Sequence, residues 1–113
     1  MEKVPLVFLK HILESINQAE TAVEGFTFEQ FSENITVQDA VVRRLEIIGE
    51  AVKNLPGNIK EKYPEVPWLK IAGMRNKLIH EYFAIDVDLV WSVVKDDFPI
   101  FKKQVEKIVE KLN

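Results

Sequence analysis

The sequence predicts an all-α protein: an antiparallel, up-and-down bundle of four to five helices. Apolar residues recur at spacings of three and four through the long segments, which is the period of an amphipathic helix. The strongest breakers, Gly25, Pro56-Gly57 and Pro64, fall between those segments. No strand pattern competes, although the run Leu89 to Val94 is β-prone in isolation.

The first helix is expected from Pro5 to about Glu24. Leu9, Ile12, Leu13, Ile16, Ala19 and Val23 form its core stripe, and Pro suits a first helical position because its missing N–H has no partner there. His11 lies off the stripe and reads as a surface residue. Gly25 ends the helix. Thr27-Phe28-Glu29-Gln30 then reads as a capping box that opens a short helix, with Phe26, Phe28 and Phe31 closing one end of the core. Thr36-Val37-Gln38-Asp39 is read as the cap of a second long helix reaching about Leu55. Val41, Leu45, Ile48, Val52 and Leu55 face its core. Asp39, Arg43, Glu46, Glu50 and Lys53 form its polar face, laced with pairs three and four apart. Gly49 is the anomaly, since a glycine inside a helix costs about 1 kcal/mol relative to alanine. Close approach of another backbone or a ligand would explain it, and would bring Glu46 or Glu50 near that neighbour.

After Pro56-Gly57, residues Asn58 to Tyr63 read as a short turn stopped by Pro64. Val66-Pro67 launches a helix expected to run from Pro67 to about Tyr82. Its stripe contains Trp68, Ile71, Ala72, Leu78 and Ile79, and Arg75 stands between Ala72 and Leu78. A guanidinium on an apolar stripe is costly unless it meets an acceptor or faces a gap, and such breaks are where functional sites are expected. On this reading Asn76 and His80, four apart, are neighbours on the helix surface. Arg75 and His80 flank a ligand instead of stacking. His exchanges a proton near neutral pH, and Arg offers a fixed fork for phosphate oxygens. Together they are a minimum kit for cutting RNA without metal. Asp86 or Asp88 caps the final helix, whose stripe is Val94, Phe98, Phe101, Val105, Ile108 and Leu112. Pro99 is expected to kink it near Lys95.

The arrangement Arg75-x4-His80-x-Tyr82, with Asn76 directly after the Arg, resembles the signature of the HEPN superfamily. More narrowly, it resembles the HepT toxins of HEPN–MNT toxin–antitoxin pairs. The likeness extends to the segment Arg43 to Ala51, to the run Tyr63 to Trp68 and to the long final helix carrying a Pro. It implies a HEPN-like bundle and a metal-independent endoribonuclease, in which a ribose 2′-OH attacks the adjacent phosphate and leaves a cyclic phosphate. It assigns Arg75 and His80 as catalytic, with Asn76 and Tyr82 in support; Glu50 is added as a supporting residue because of its place beside Gly49. The likeness also implies a homodimer that joins two motifs in one cleft. The implied partner is a minimal nucleotidyltransferase antitoxin that neutralises the toxin by adding AMP to Tyr82. The competing expectation is a non-catalytic module that binds a nucleotide or docks a nucleotidyltransferase.

Composition is consistent with this. The 113 residues are expected to form one domain over 1–113. With 47% hydrophobic and 29% charged residues, the chain has the make-up of a globular protein. There is no Cys, so disulfide and thiolate chemistry are excluded. The net charge of −3 argues against a general nucleic-acid coat protein. Contact with RNA would need a local patch, for which Lys70, Arg75, Lys77 and His80 are candidates on the motif helix. No signal peptide and no membrane span is expected, so the expected location is the cytoplasm. No Gly-rich phosphate loop or metal-ligand pattern occurs, and no cofactor or metal is expected.

Overall fold

The computed structural model describes residues 3–81 and 84–113, with the backbone alone at positions 3, 4, 75, 78–81 and 84. The protein is all-α apart from one very short strand pair. Helix α1 (Lys3–Ala22) buries Leu9, Ile12, Ile16 and Ala19 completely, which is the spacing the sequence showed. Pro5 sits within the first turn and not at its start. Its missing N–H costs nothing there, because first-turn N–H groups have no partner inside a helix. Gly25 adopts φ +79° at the corner after α1, a left-handed conformation that a residue without a Cβ reaches without strain.

Helix α2 (Phe28–Ser32) opens with the expected capping box. Thr27 Oγ1 accepts from Gln30 N–H at 3.1 Å, and Gln30 Oε1 accepts from Thr27 N–H at 2.9 Å. Phe31 is fully buried and its ring lies 5.2 Å from that of Trp91. Helix α3 (Ile35–Asn54) corrects one expectation: its cap is Asn34, not Thr36. Asn34 Oδ1 accepts from Val37 N–H at 3.0 Å. Asn is at least as good a cap as Thr, and using it starts the helix early enough to place Gln38 against α2. There the buried Gln38 Nε2 donates to the Phe31 carbonyl at 2.8 Å and the Ser32 carbonyl at 3.0 Å. Carbonyls in a last helical turn lack partners within the helix, so one side chain closes α2 and ties it to α3. Gln38→Ala is expected to lower unfolding stability by about 1–3 kcal/mol. Urea titration checks this, and an unchanged midpoint would mean that water replaces the amide.

Helices α1 and α3 run antiparallel. Arg44 donates to Gln18 Oε1 at 2.6 Å near one end, while His11 and Glu50 line one groove near the other. Helix α4 (Gly57–Lys62) is followed by Tyr63, whose carbonyl accepts from the Trp68 indole N–H at 3.0 Å. The Trp68 ring meets Phe101 edge-on, 6.3 Å between centroids.

The largest departure is the segment expected as one helix over 67–82. It is instead α5 (Trp68–Ala72), a break at Gly73, α6 (Met74–Leu78), and strand β1 (Ile79–Glu81) paired antiparallel with β2 (Ala84–Ile85). Gly73 N–H donates to Leu69 O at 3.0 Å, and Asn76 N–H reaches back to Gly73 O at 3.2 Å. A glycine is a weak helix former, and the path changes there. Beyond Leu78 the sequence is β-branched and aromatic, and Ile79 stands opposite Ile85. Such residues fit a pleated surface once a partner is at hand.

Asp86 caps α7 (Val87–Ser92) by accepting from Leu89 N–H at 3.1 Å. A π-helical turn (Val93–Asp97) then leads into α8 (Phe98–Leu112). Ahead of Pro99, where a kink is expected, the helix widens into this π turn. Phe98 N–H bonds to Val93 O, five residues back. The widened turn accommodates a ring that a regular α-helix would press against the Lys95 carbonyl. Phe98, Phe101, Val105 and Ile108 are buried along α8, and Lys102 pairs with Glu20 of α1 at 3.2 Å. Leu89 to Val94, β-prone in isolation, is helical because Val90, Val93 and Val94 face the core at helical spacing.

Candidate functional site

The motif residues gather where α6 turns into β1. Arg75, Asn76 and Lys77 belong to α6, and His80 is the middle residue of β1. Asn76 and Lys77 are exposed. Tyr82, the expected modification site, lies outside the described residues. Two sequence arguments change. Asn76 and His80 are not one helical turn apart, because the helix ends at Leu78. The apolar stripe also has no missing step: Met74, three after Ile71, is buried and fills it. Arg75 is therefore the residue beside the stripe, so the oily-to-cationic swap read from the sequence is not what marks it. The supposed basic face on one helix is likewise divided. Lys70 is on α5, Lys77 on α6 and His80 on β1, with both lysines exposed.

Helix α3 positions this corner. Gly49 is buried, and a Cβ added there would lie 3.4 Å from the Ala72 carbonyl oxygen and 3.7 Å from that of Ile71. The close approach inferred from a mid-helix glycine is therefore present, and the neighbour is the backbone at the end of α5. Helix α6 packs on both α3 and α7. Of the two carboxylates expected nearby, Glu50 is exposed and its Oε1 is 3.9 Å from Lys53 Nζ. It belongs to a groove of about 400 Å³ between α1 and α3, lined also by Phe8, His11, Arg43 and Asn54. Glu46 lies on the same groove but is half-buried.

A second hollow, of about 230 Å³, escaped the sequence reading. It lies between α5–α6 and the start of α8, with Lys70, Ile71, Met74, Ile100 and Phe101 among its walls. Its only trace in the sequence is Ile100, a large apolar residue off the α8 stripe that is 63% exposed. Among the described residues no three His, Asp or Glu side chains converge as a metal set. No helix among them is long and apolar enough to cross a membrane.

Comparison with known proteins identifies the family. The family model described as "Ribonuclease HepT-like" matches residues 12–108. A protein of Caldanaerobacter subterraneus subsp. tengcongensis, named "Putative RNase TTE0752", is 46% identical over 109 residues, covering 96% of this chain and 97% of that protein. "Probable ribonuclease HepT" of Thermococcus cleftensis is 48% identical over 103 residues, covering 88% of this chain and 94% of its own length. The Methanocaldococcus jannaschii protein named "Gamma-glutamylcyclotransferase and putative RNase MJ0434" is 47% identical over all 113 residues, and this chain spans 51% of it. No solved structure matches. A match that contains the helices, the α6–β1 corner and Arg75, Asn76, His80 and Tyr82 settles the family: the chain belongs to the ribonuclease HepT-like family, within the HEPN superfamily.

Proposed function

We propose that the chain is a metal-independent endoribonuclease and the toxin half of a toxin–antitoxin pair. The observation that carries this reading is the family match over residues 12–108, whose span includes Arg75 and His80 on adjoining elements. The substrate class is RNA. In the step proposed, the ribose 2′-oxygen loses its proton to a base and attacks phosphorus. The 5′-oxygen leaves and takes up a proton, producing a 2′,3′-cyclic phosphate and a 5′-hydroxyl. His80 serves as the proton donor or acceptor. Arg75 binds the phosphoryl oxygens and offsets the charge that builds in the transition state. Asn76, exposed beside Arg75, orients the substrate or His80. Glu50 stands farther out, on the rim of the α1–α3 groove.

One motif is a thin active site, and a homodimer would pair two of them. Two exposed apolar residues support an interface near the motif. Leu69 is 90% exposed and Ile100 63% exposed, and each borders a hollow that shares Pro67 and Lys70. Cleavage of an RNA oligonucleotide by purified protein in EDTA tests the enzymatic reading. Saturable nucleotide binding without cleavage would instead favour a binding or docking module.

Regulation follows in the same proposal. A nucleotidyltransferase antitoxin adds AMP to Tyr82, and the new phosphate occupies the anion site at Arg75 and repels RNA. Intact mass after incubation with that partner and ATP is expected to rise by one AMP in wild type and not in Tyr82→Phe. A Tyr82→Phe protein that gains the same mass would place the modification elsewhere.

A further inference from the structure

Three lysines from three helices meet at one hollow. It measures about 540 Å³ and lies between the end of α3, α4 and α5. Among the described residues, Lys53, Lys60 and Lys70 line it with one carboxylate, Glu61. That is a local surplus of positive charge in a chain whose net charge is −3. Other hollows lack it. The one under Ile100 sets Lys70 against Glu65 and Asp97, and the α1–α3 groove sets Arg43 against Glu46 and Glu50. A surplus of one sign in a cleft is what concentrates a polyanion. Lys53 and Lys70 are exposed and Lys60 is half-buried. Glu50 stands 3.9 Å from Lys53 Nζ, and such an exposed pair is readily given up.

The hollow adjoins the motif corner through packed backbone. Ala72 belongs to its wall, and the Ala72 carbonyl is the atom that comes closest to a Cβ placed on Gly49 of α3. Lys53 is four residues beyond Gly49, about 6 Å along the helix. Arg75 is three residues beyond Ala72, so their Cα atoms are at most about 11 Å apart. We infer that this hollow is an RNA-binding subsite outside the motif: Lys53, Lys60 and Lys70 hold backbone phosphates of the strand a few nucleotides from the bond that is cut. This rests on the proposed cleavage of RNA. Ammonium groups on flexible stems hold phosphates as point charges, without reading sequence. The competing occupant is a second copy of the chain, because Leu69 borders the same hollow. Lysine is depleted at protein interfaces, and this hollow offers three lysines a single carboxylate, so RNA fits the lysine side better.

The test compares two triple variants. Lys53→Ala/Lys60→Ala/Lys70→Ala empties the hollow of cations. Lys10→Ala/Lys103→Ala/Lys107→Ala removes the same charge from exposed positions on α1 and α8. Binding is read by fluorescence anisotropy with a single-stranded RNA oligonucleotide methylated at every 2′-oxygen, which the proposed reaction cannot cut. The hollow variant is expected to lose at least about tenfold in affinity at 0.1 M salt, and its plot of log affinity against log salt should flatten by about 2, since each phosphate contact on a single strand contributes about 0.7. The control should stay within about twofold of wild type, because salt screens distant charges. With the unmodified oligonucleotide, KM should rise in the hollow variant while kcat stays within about twofold, the mark of lost uniform binding. Arginine at the three positions should restore affinity. Wild-type affinity and salt slope in the hollow variant, or an equal loss in the control, would overturn the inference. A change of oligomeric state in sedimentation with RNA affinity unchanged would also overturn it, by giving the hollow to a second copy. Failure of the underlying reading looks different: wild type would cut no RNA, while the methylated strand would still bind through the three lysines.

Discussion

His80→Ala is expected to lower RNA cleavage in EDTA by about 100- to 10,000-fold, the usual worth of a placed general acid or base. The substitution falls in a three-residue strand after α6, outside the long helices α1, α3 and α8. Thermal unfolding should therefore stay close to that of wild type. Activity lost without stability is the signature of a chemical role. If activity and melting temperature fell together, the imidazole would be supporting the strand pair. If cleavage were unchanged, His80 would leave the mechanism and Arg75 alone could not sustain it. An imidazole suits the task because its ordinary pKa allows it both to take and to give a proton near neutral pH.

The largest stability effect is expected at Phe31. Its side chain is fully buried, packs against Trp91 and sits under the α2–α3 junction that Gln38 closes. Truncation to Ala removes a large apolar surface and leaves a cavity in a region fixed on both sides, by α3 and by α7. The expected cost is about 3–5 kcal/mol, read as a shift in the urea midpoint at unchanged slope. That is a large share of the stability of a small domain, so Phe31→Ala should be partly unfolded at physiological temperature. Phe31→Leu, which keeps more of the volume, should lose distinctly less. Equal losses in the two would mean that the ring geometry against Trp91, and not the filled volume, is what the site requires.

Much of this architecture is legible in the residues. The stripes of α1, α3 and α8 have one periodic reading each, because helices of 20, 20 and 15 residues contain several turns of pattern. Caps made by a local side chain, such as Thr27, can be read from spacing alone. Gly49 announced a close approach, and only the fold revealed that the neighbour is the end of α5. The motif region was less legible for a physical reason. From Trp68 to Ile85 the elements are two to five residues long, too short for periodicity to separate helix from strand. Ile79 suits a helical stripe and a strand pair equally well. Met74, and not Arg75, completes the buried stripe after Ile71, because a flexible methionine fills the step that the spacing of branched residues leaves open. The π turn before Pro99 was also hidden, since a proline states that a helix must adjust but not how.

The account depends on Arg75 and His80 forming a site that uses the RNA's own 2′-hydroxyl as nucleophile. The most direct measurement is the identity of the ends produced when purified protein cuts a defined RNA oligonucleotide in EDTA, read by mass spectrometry. The account expects a 2′,3′-cyclic phosphate on one fragment and a 5′-hydroxyl on the other. Fragments ending in 3′-hydroxyl and 5′-phosphate, formed only when a divalent cation is restored, would contradict it.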